Sequence, residues 1–307
     1  MTLKQRTASH RAPGHCLPTA LALTLCLAAS CGGGGDSPAA NGGDYALTQP
    51  TPYPEHLTAG DHVRTIVVRS ETRAGTGPTR AGTVCHLTTL LFDVAGTGPL
   101  APTTIDAASG CRLYNAATPE SQYDNQHWIC AGQVSVTGGG STQGVGLCPT
   151  GSRPPVYDSV IPCGVVTTGG FTVSAVDSGV PGAVLTDLNA PVTLPDSVII
   201  SAPSDLPTTT WPASGDLPVV WNSAGATSAV VRLDAQGTGG TSVIVCTPTR
   251  NGRVVIPGSM IDQAAMRMRD TRLLVTSVKD TFTTAEGGMR YRVSGATATS
   301  VVLQGLH

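Results

Sequence analysis

Apolar and polar positions along this chain fall into three regimes. Residues 17–29 form one apolar run, broken only by Pro18, Thr19, Thr24 and Cys26. Residues 32–60 show no period at all, only Gly32 to Gly35, Ser37-Pro38, Asn41-Gly42-Gly43 and then Pro50, Pro52 and Pro54. From about residue 61 onward, short apolar segments recur in which successive side chains alternate in character, bounded by Gly, Pro, Asn or Asp. A period of two places alternate residues on opposite faces of an extended chain, so this third regime predicts β-strands joined by turns.

In the first half the predicted strands are 63–69, 84–94 and 129–136, with a hairpin of 164–168 and 170–176 turning through Gly169-Gly170. The pentapeptide Ala-Gly-Thr-Gly-Pro at 74–78 and again at 95–99 reads as a pair of turns around the second strand. Residues 181–195 read as irregular, because their prolines would interrupt a central strand. In the second half eight strands are predicted at 198–202, 217–221, 229–233, 243–246, 254–256, 273–278, 289–293 and 300–303. One short helix is expected at 260–266, with Ser259 as its cap, Asp262 three residues on, and Ile261 and Ala265 facing the sheets.

Composition agrees with that reading and narrows the function classes. Charged residues make up 12% and aromatics 4%, while 37 Gly and 23 Pro favour short strands and turns over helices. Of the 18 Lys and Arg, Lys4, Arg6 and Arg11 lie before the apolar run, and all 20 acidic residues lie beyond it, leaving the remainder with a net charge of −5. There is no basic field to attract nucleic acid. The fold class expected is all-β, a β-sandwich architecture in two packed β-rich domains. Their bounds are 61–195, which contains disulfides, and 196–307.

Lys4, Arg6 and Arg11, followed by an apolar run too short to cross a bilayer and then by Leu27-Ala28-Ala29-Ser30-Cys31, resemble a bacterial lipoprotein signal peptide with its lipobox. The resemblance implies cleavage before Cys31, a thioether lipid on its sulfur and acylation of its new amine. Residues 1–30 would be the signal peptide and 31–60 a lipid-anchored flexible linker. Gly32 in the place after the cysteine resembles the outer-membrane pattern. Ala28-x-Ser30 is also an ordinary small-x-small cleavage site, which would release a soluble secreted chain from the same bond. Either way the chain is expected to be exported.

Six cysteines remain beyond the anchor: Cys85, Cys111, Cys130, Cys148, Cys163 and Cys246. An even number in an exported chain suggests three disulfides. Cys148 with Cys163 closes the shortest turn-rich loop, and Cys111 with Cys130 is the next most plausible pair. Cys246 lies in a strand pattern far from the others and reads as a buried free thiol.

The stretch Tyr123, Asp124, Asn125, Gln126, His127 and Trp128 carries the densest chemistry, with groups able to stack on and hydrogen-bond a sugar or peptide. His86, Asp93, Asp106 and His127 are the ingredients of a metal or acid–base site without diagnostic spacing, and no Gly-x-Ser-x-Gly occurs. Arg267, Arg269, Arg272, Arg290 and Arg292 form the only basic concentration and read as a solvated face. Around Trp221, Cys246 and Pro257 the core-and-turn pattern resembles immunoglobulin-like domains of exported bacterial lipoproteins, which implies a fold and no activity. The resulting expectation is a membrane-anchored β-sandwich serving as a binding or structural module for a protein or glycan, without cofactor or metal. The other reading is a hydrolase whose site is assembled from loops around Asp124 and His127.

Overall fold

The structure, a computed structural model, describes residues 62–73, 82–93, 103–115, 127–128, 133–145, 157–166, 169–176, 188–203, 209–235, 242–247, 252–284 and 290–306. It is all-β and sandwich-like, with one short α-helix. The leader, the linker, Tyr123 to Gln126, Cys130 and Cys148 lie outside the described residues.

Seventeen strands are described. Ten form one large sheet, and nine of these run in the order β3 (Thr104–Asp106), β4 (Cys111–Asn115), β14 (Ser242–Cys246), β13 (Ser228–Ala235), β16 (Thr271–Thr284), β17 (Arg290–Leu303), β1 (His62–Arg73), β2 (Gly82–Asp93) and β5 (His127–Trp128). The tenth, β8 (Tyr157–Ile161), also pairs with β2. A second sheet orders β10 (Leu188–Val192), β9 (Phe171–Val176), β6 (Gln133–Gly138) and β7 (Ser141–Val145); a third orders β11 (Ile199–Ala202), β12 (Leu217–Asn222) and β15 (Arg253–Ile256).

Neighbours in the large sheet are antiparallel except β1 and β17, which run parallel from Thr65 opposite Arg292 to Arg73 opposite Ser300. The sheet thus joins strands from both sides of residue 195, and the expected domain boundary there is not a break in the sheet.

Both smaller sheets pack on the same face of the large one, as the period of two requires. Ile66, Val68, Leu87, Tyr291 and Val293 of the large sheet meet Val134, Val136, Phe171, Val173 and Ala190 of the second in one core. Val231, Leu233, Ile244, Leu273, Val301 and Leu303 meet Val219, Trp221, Val254 and Ile256 of the third in another. Trp221 is therefore the core anchor between sheets that its sequence context suggests. Between the two cores, the chain linking β10 to β11 lies directly on β17. Gly295 permits this, since a Cβ there would strike the Thr193 carbonyl. Thr297 Oγ1 and Thr299 Oγ1 then donate to the carbonyls of Asp196 and Val198, each at 2.7 Å.

Several local expectations are corrected. The strands expected at 289–293 and 300–303 are one fourteen-residue strand, β17. Ser294 to Thr299 lack apolar alternation because they are small residues closely flanked by β16 and β1. Residues 163–165 form a 3-10 turn instead of half a hairpin, and β9 pairs with β6 and β10. The stretch expected to be irregular contains β10, whose Pro191 is tolerated because β10 is an edge strand. The helix, α1, spans Gly258–Gln263 after Pro257, without a side-chain cap bond from Ser259. Asp216 serves its N-terminus, accepting from the Gly258 N–H at 2.8 Å.

Among the described residues the disulfides are Cys85–Cys163 and Cys111–Cys246. Cys148 with Cys163 and Cys111 with Cys130 are therefore not the pairs, and Cys246 is not a free thiol. Cys111 and Cys246 are direct cross-strand neighbours on β4 and β14, an adjacency that no local spacing reveals.

Candidate functional site

The other face of the large sheet is chemically unlike the first. It carries buried Val67, Tyr114, Val230, Val243, Leu274 and Ala298, but also an ionic network. Glu71 on β1, 0% exposed, is its hub. Arg69 approaches Glu71 at 3.4 Å from two residues earlier on the same face. Arg73 Nε donates to Glu71 Oε1 at 3.1 Å, Ser300 Oγ donates at 2.9 Å, and Arg272 Nη2 reaches the same oxygen from β16. Asp234, opposite Arg272 in the register, is paired with Arg232. The line of charge thus crosses β1, β17, β16 and β13.

A second cluster closes the far end of the same face. Arg292 grips Asp280 with Nε at 2.8 Å and Nη2 at 2.7 Å, Ser294 Oγ donates at 2.7 Å, and Thr227 Oγ1 at 3.3 Å. Burial by itself raises the Asp280 carboxyl. The hydrogen bond and charge of Arg292, with the Ser294 and Thr227 hydroxyls, outweigh burial and hold it below its ordinary value.

Arg267, outside the sheets, is also internal. It donates to Asp262 at 2.7 Å, to the Pro212 carbonyl at 2.6 Å and to the Gly215 carbonyl, and its guanidinium lies 5.9 Å from the Trp211 ring centroid. The solvated basic face expected from the sequence is accordingly corrected for Arg267, buried against two carbonyls with exposed Asp262 at its rim, and for Arg272 and Arg292, which pair with Glu71 and Asp280. The signal was hidden because Glu71 lies some two hundred residues from Arg272.

The residues singled out from the sequence do not form one centre. His127 and Trp128 make up β5, with His127 opposite Asp93 and Trp128 opposite Phe92. His86 is on β2 as well, buried, beside Arg69 on the ionic face. Seven residues separate it from Asp93, about 23 Å along a strand. Asp106 turns inward on its own loop, accepting from the Ala108 N–H and the Ser109 hydroxyl at 3.0 Å each. Among the described residues no group of three or more His, Cys, Asp or Glu side chains could hold a metal ion. Among the same residues no helix is long and apolar enough to cross a membrane.

Two concavities are lined by described residues. An open groove of about 820 Å³ runs between the β3–β4 turn and β15, bordered by Asp106, Asp216 and Arg253. A smaller cavity of about 200 Å³ lies between the third sheet and the large one, where Trp221 of β12 faces Ala229 of β13 and Ser277 of β16. Sequence reading placed Trp221 in the core but gave no sign of the cavity, because Ser277 reads as one more small residue in a strand.

The carboxylates of Glu71, Asp234 and Asp280 are each engaged by arginine, so the ionic face fixes the geometry of these strands. No protein family matches the chain, and no curated protein sequence matches it.

Proposed function

We propose that this chain is an exported lipoprotein, held at the outer membrane through Cys31, whose β-sandwich body is a binding or structural module. The observation that carries the reading is the basic and apolar leader ending at Ala28-Ala29-Ser30-Cys31, with four glycines following. Two disulfides are compatible with export, since such bonds persist in oxidising compartments. A core filled by aliphatic side chains between sheets suits a scaffold that presents its loops and rims.

The test is Cys31→Ser in the native bacterial setting. The expected result is a chain that leaves the membrane fraction and loses the mass of its acyl groups. A Cys31→Ser chain that stays in the membrane at unchanged mass overturns the anchor. An unmodified Cys31 in the wild-type chain would point to plain secretion.

A further inference from the structure

We infer that the cavity beside Trp221 is a binding site for one neutral, hydroxyl-bearing ring, a single monosaccharide unit. The inference rests on the reading of the body as a binding module and names its ligand class. Leu273, Val275 and Ser277 occupy one face of β16, the face toward the third sheet. The first two are ordinary core residues, but Ser277 brings a hydroxyl to a position 1% exposed, where its Oγ has no hydrogen-bond partner. An unmet buried hydroxyl costs free energy unless something occupies the space it borders. That space is the cavity, which Ser277 lines together with Trp221, Asn222, Ser223, Ser228 and Gly252.

The walls are fixed. Ser223 Oγ donates to the Asp196 carbonyl at 3.0 Å, and the Asp196 N–H donates to the Ala224 carbonyl at 2.9 Å. Thr227 is tied by its N–H and its hydroxyl to the Val278 carbonyl. Gly252, at φ +64°, accepts at its carbonyl from the Trp221 N–H at 2.8 Å, and a Cβ there would lie 2.6 Å from the Trp221 oxygen. The site is therefore formed before any ligand arrives, which lowers the cost of binding.

Chemistry and size select the ligand. Among the described residues no charged side chain lines the cavity, so an ion entering it would lose hydration without a counter-charge from them. An indole and hydroxyls suit a ring that has apolar C–H surface and a rim of hydroxyls. At about 30 Å³ per water, 200 Å³ is room for roughly six or seven waters, or for one small ring and not two.

The experiment follows the indole N–H resonance of Trp221 in the full chain, assigned with Trp221→Phe, during titration with glucose, N-acetylglucosamine and, as a charged comparison, inorganic phosphate. At least one of the two sugars is expected to shift it saturably at millimolar concentration, and phosphate to leave it in place. Ser277→Ala should weaken that binding about fivefold, the worth of one neutral hydrogen bond. Its melting temperature should stay the same or rise, because the variant removes an unmet hydroxyl. Ala226→Leu, which narrows the cavity, should abolish the shift. Absence of a saturable shift with both sugars, an equal shift with phosphate, or undiminished binding by Ser277→Ala overturns the site. The Cys31→Ser fractionation is read independently, so a failed titration leaves the anchor standing.

Discussion

The two faces of the large sheet are filled by different chemistry. Toward the smaller sheets the strands offer aliphatic side chains, and both disulfides lie there, Cys85 in one core and Cys111 with Cys246 in the other. On the opposite face the same strands carry Arg69, Glu71, Arg232, Asp234, Arg272, Asp280 and Arg292 among valines and alanines. Aliphatic packing tolerates small displacements, since each atom contributes little and has many neighbours. A buried carboxylate among guanidiniums tolerates much less, because removing one partner leaves uncompensated charge. The first face holds the sheets together; the second holds β1, β17, β16 and β13 in one register.

The comparison is most exposed at its hub. Glu71→Ala leaves three arginines without their shared acceptor and should destabilise the protein by about 4 kcal/mol, measured by denaturant unfolding. Leu233→Ala, a fully buried truncation on the aliphatic face, should cost about 3 kcal/mol. If Leu233→Ala proves the costlier, the ionic face is not the more demanding one.

The smallest effect belongs to Asp280→Asn, about 2 kcal/mol at neutral pH, the range for a hydrogen bond to a charged group. Its pH dependence sharpens the point. Because the folded-state carboxyl titrates below the ordinary value of 3.8, the stability it contributes is complete above that pH and is lost as the pH falls toward the lower folded value. Acid titration of unfolding should show this loss in the wild type and a shallower slope in Asp280→Asn. Equal slopes would remove Asp280 from the account of acid sensitivity.

Strand positions were legible where alternation is strong and turn residues bound it, as at β12, β13 and β14. They were not legible at β17, where Ser294, Gly295, Ala296, Thr297 and Ala298 are chosen for close approach on two sides. The disulfides escaped sequence reading for a related reason. Loop-closure reasoning favours near pairs, whereas Cys111 and Cys246 are 135 residues apart and meet only because β4 and β14 are neighbours. Arg272 and Arg292 looked like surface because Glu71 and Asp280 sit on other strands, and Arg267 because the carbonyls of Pro212 and Gly215 that it meets lie far back along the chain. Trp221 was legible as a core anchor, but Ser277 was not, since a hydroxyl becomes conspicuous only once its surroundings are known to contain no partner.

The parallel pairing of β1 with β17 also governs how such a chain reaches its folded state. The strand made first finds its central neighbour only when the last one is complete, and Ser300 must close on a carboxylate 229 residues earlier. Contacts of that range slow folding, because the entropy of closing the loop is lost before any contact rewards it. Under the proposed export, β1 would cross the membrane and wait, one edge unpaired, until β17 had followed. Its middle strands would be the last to lock, and a segment left waiting with open edges is where misassembly starts.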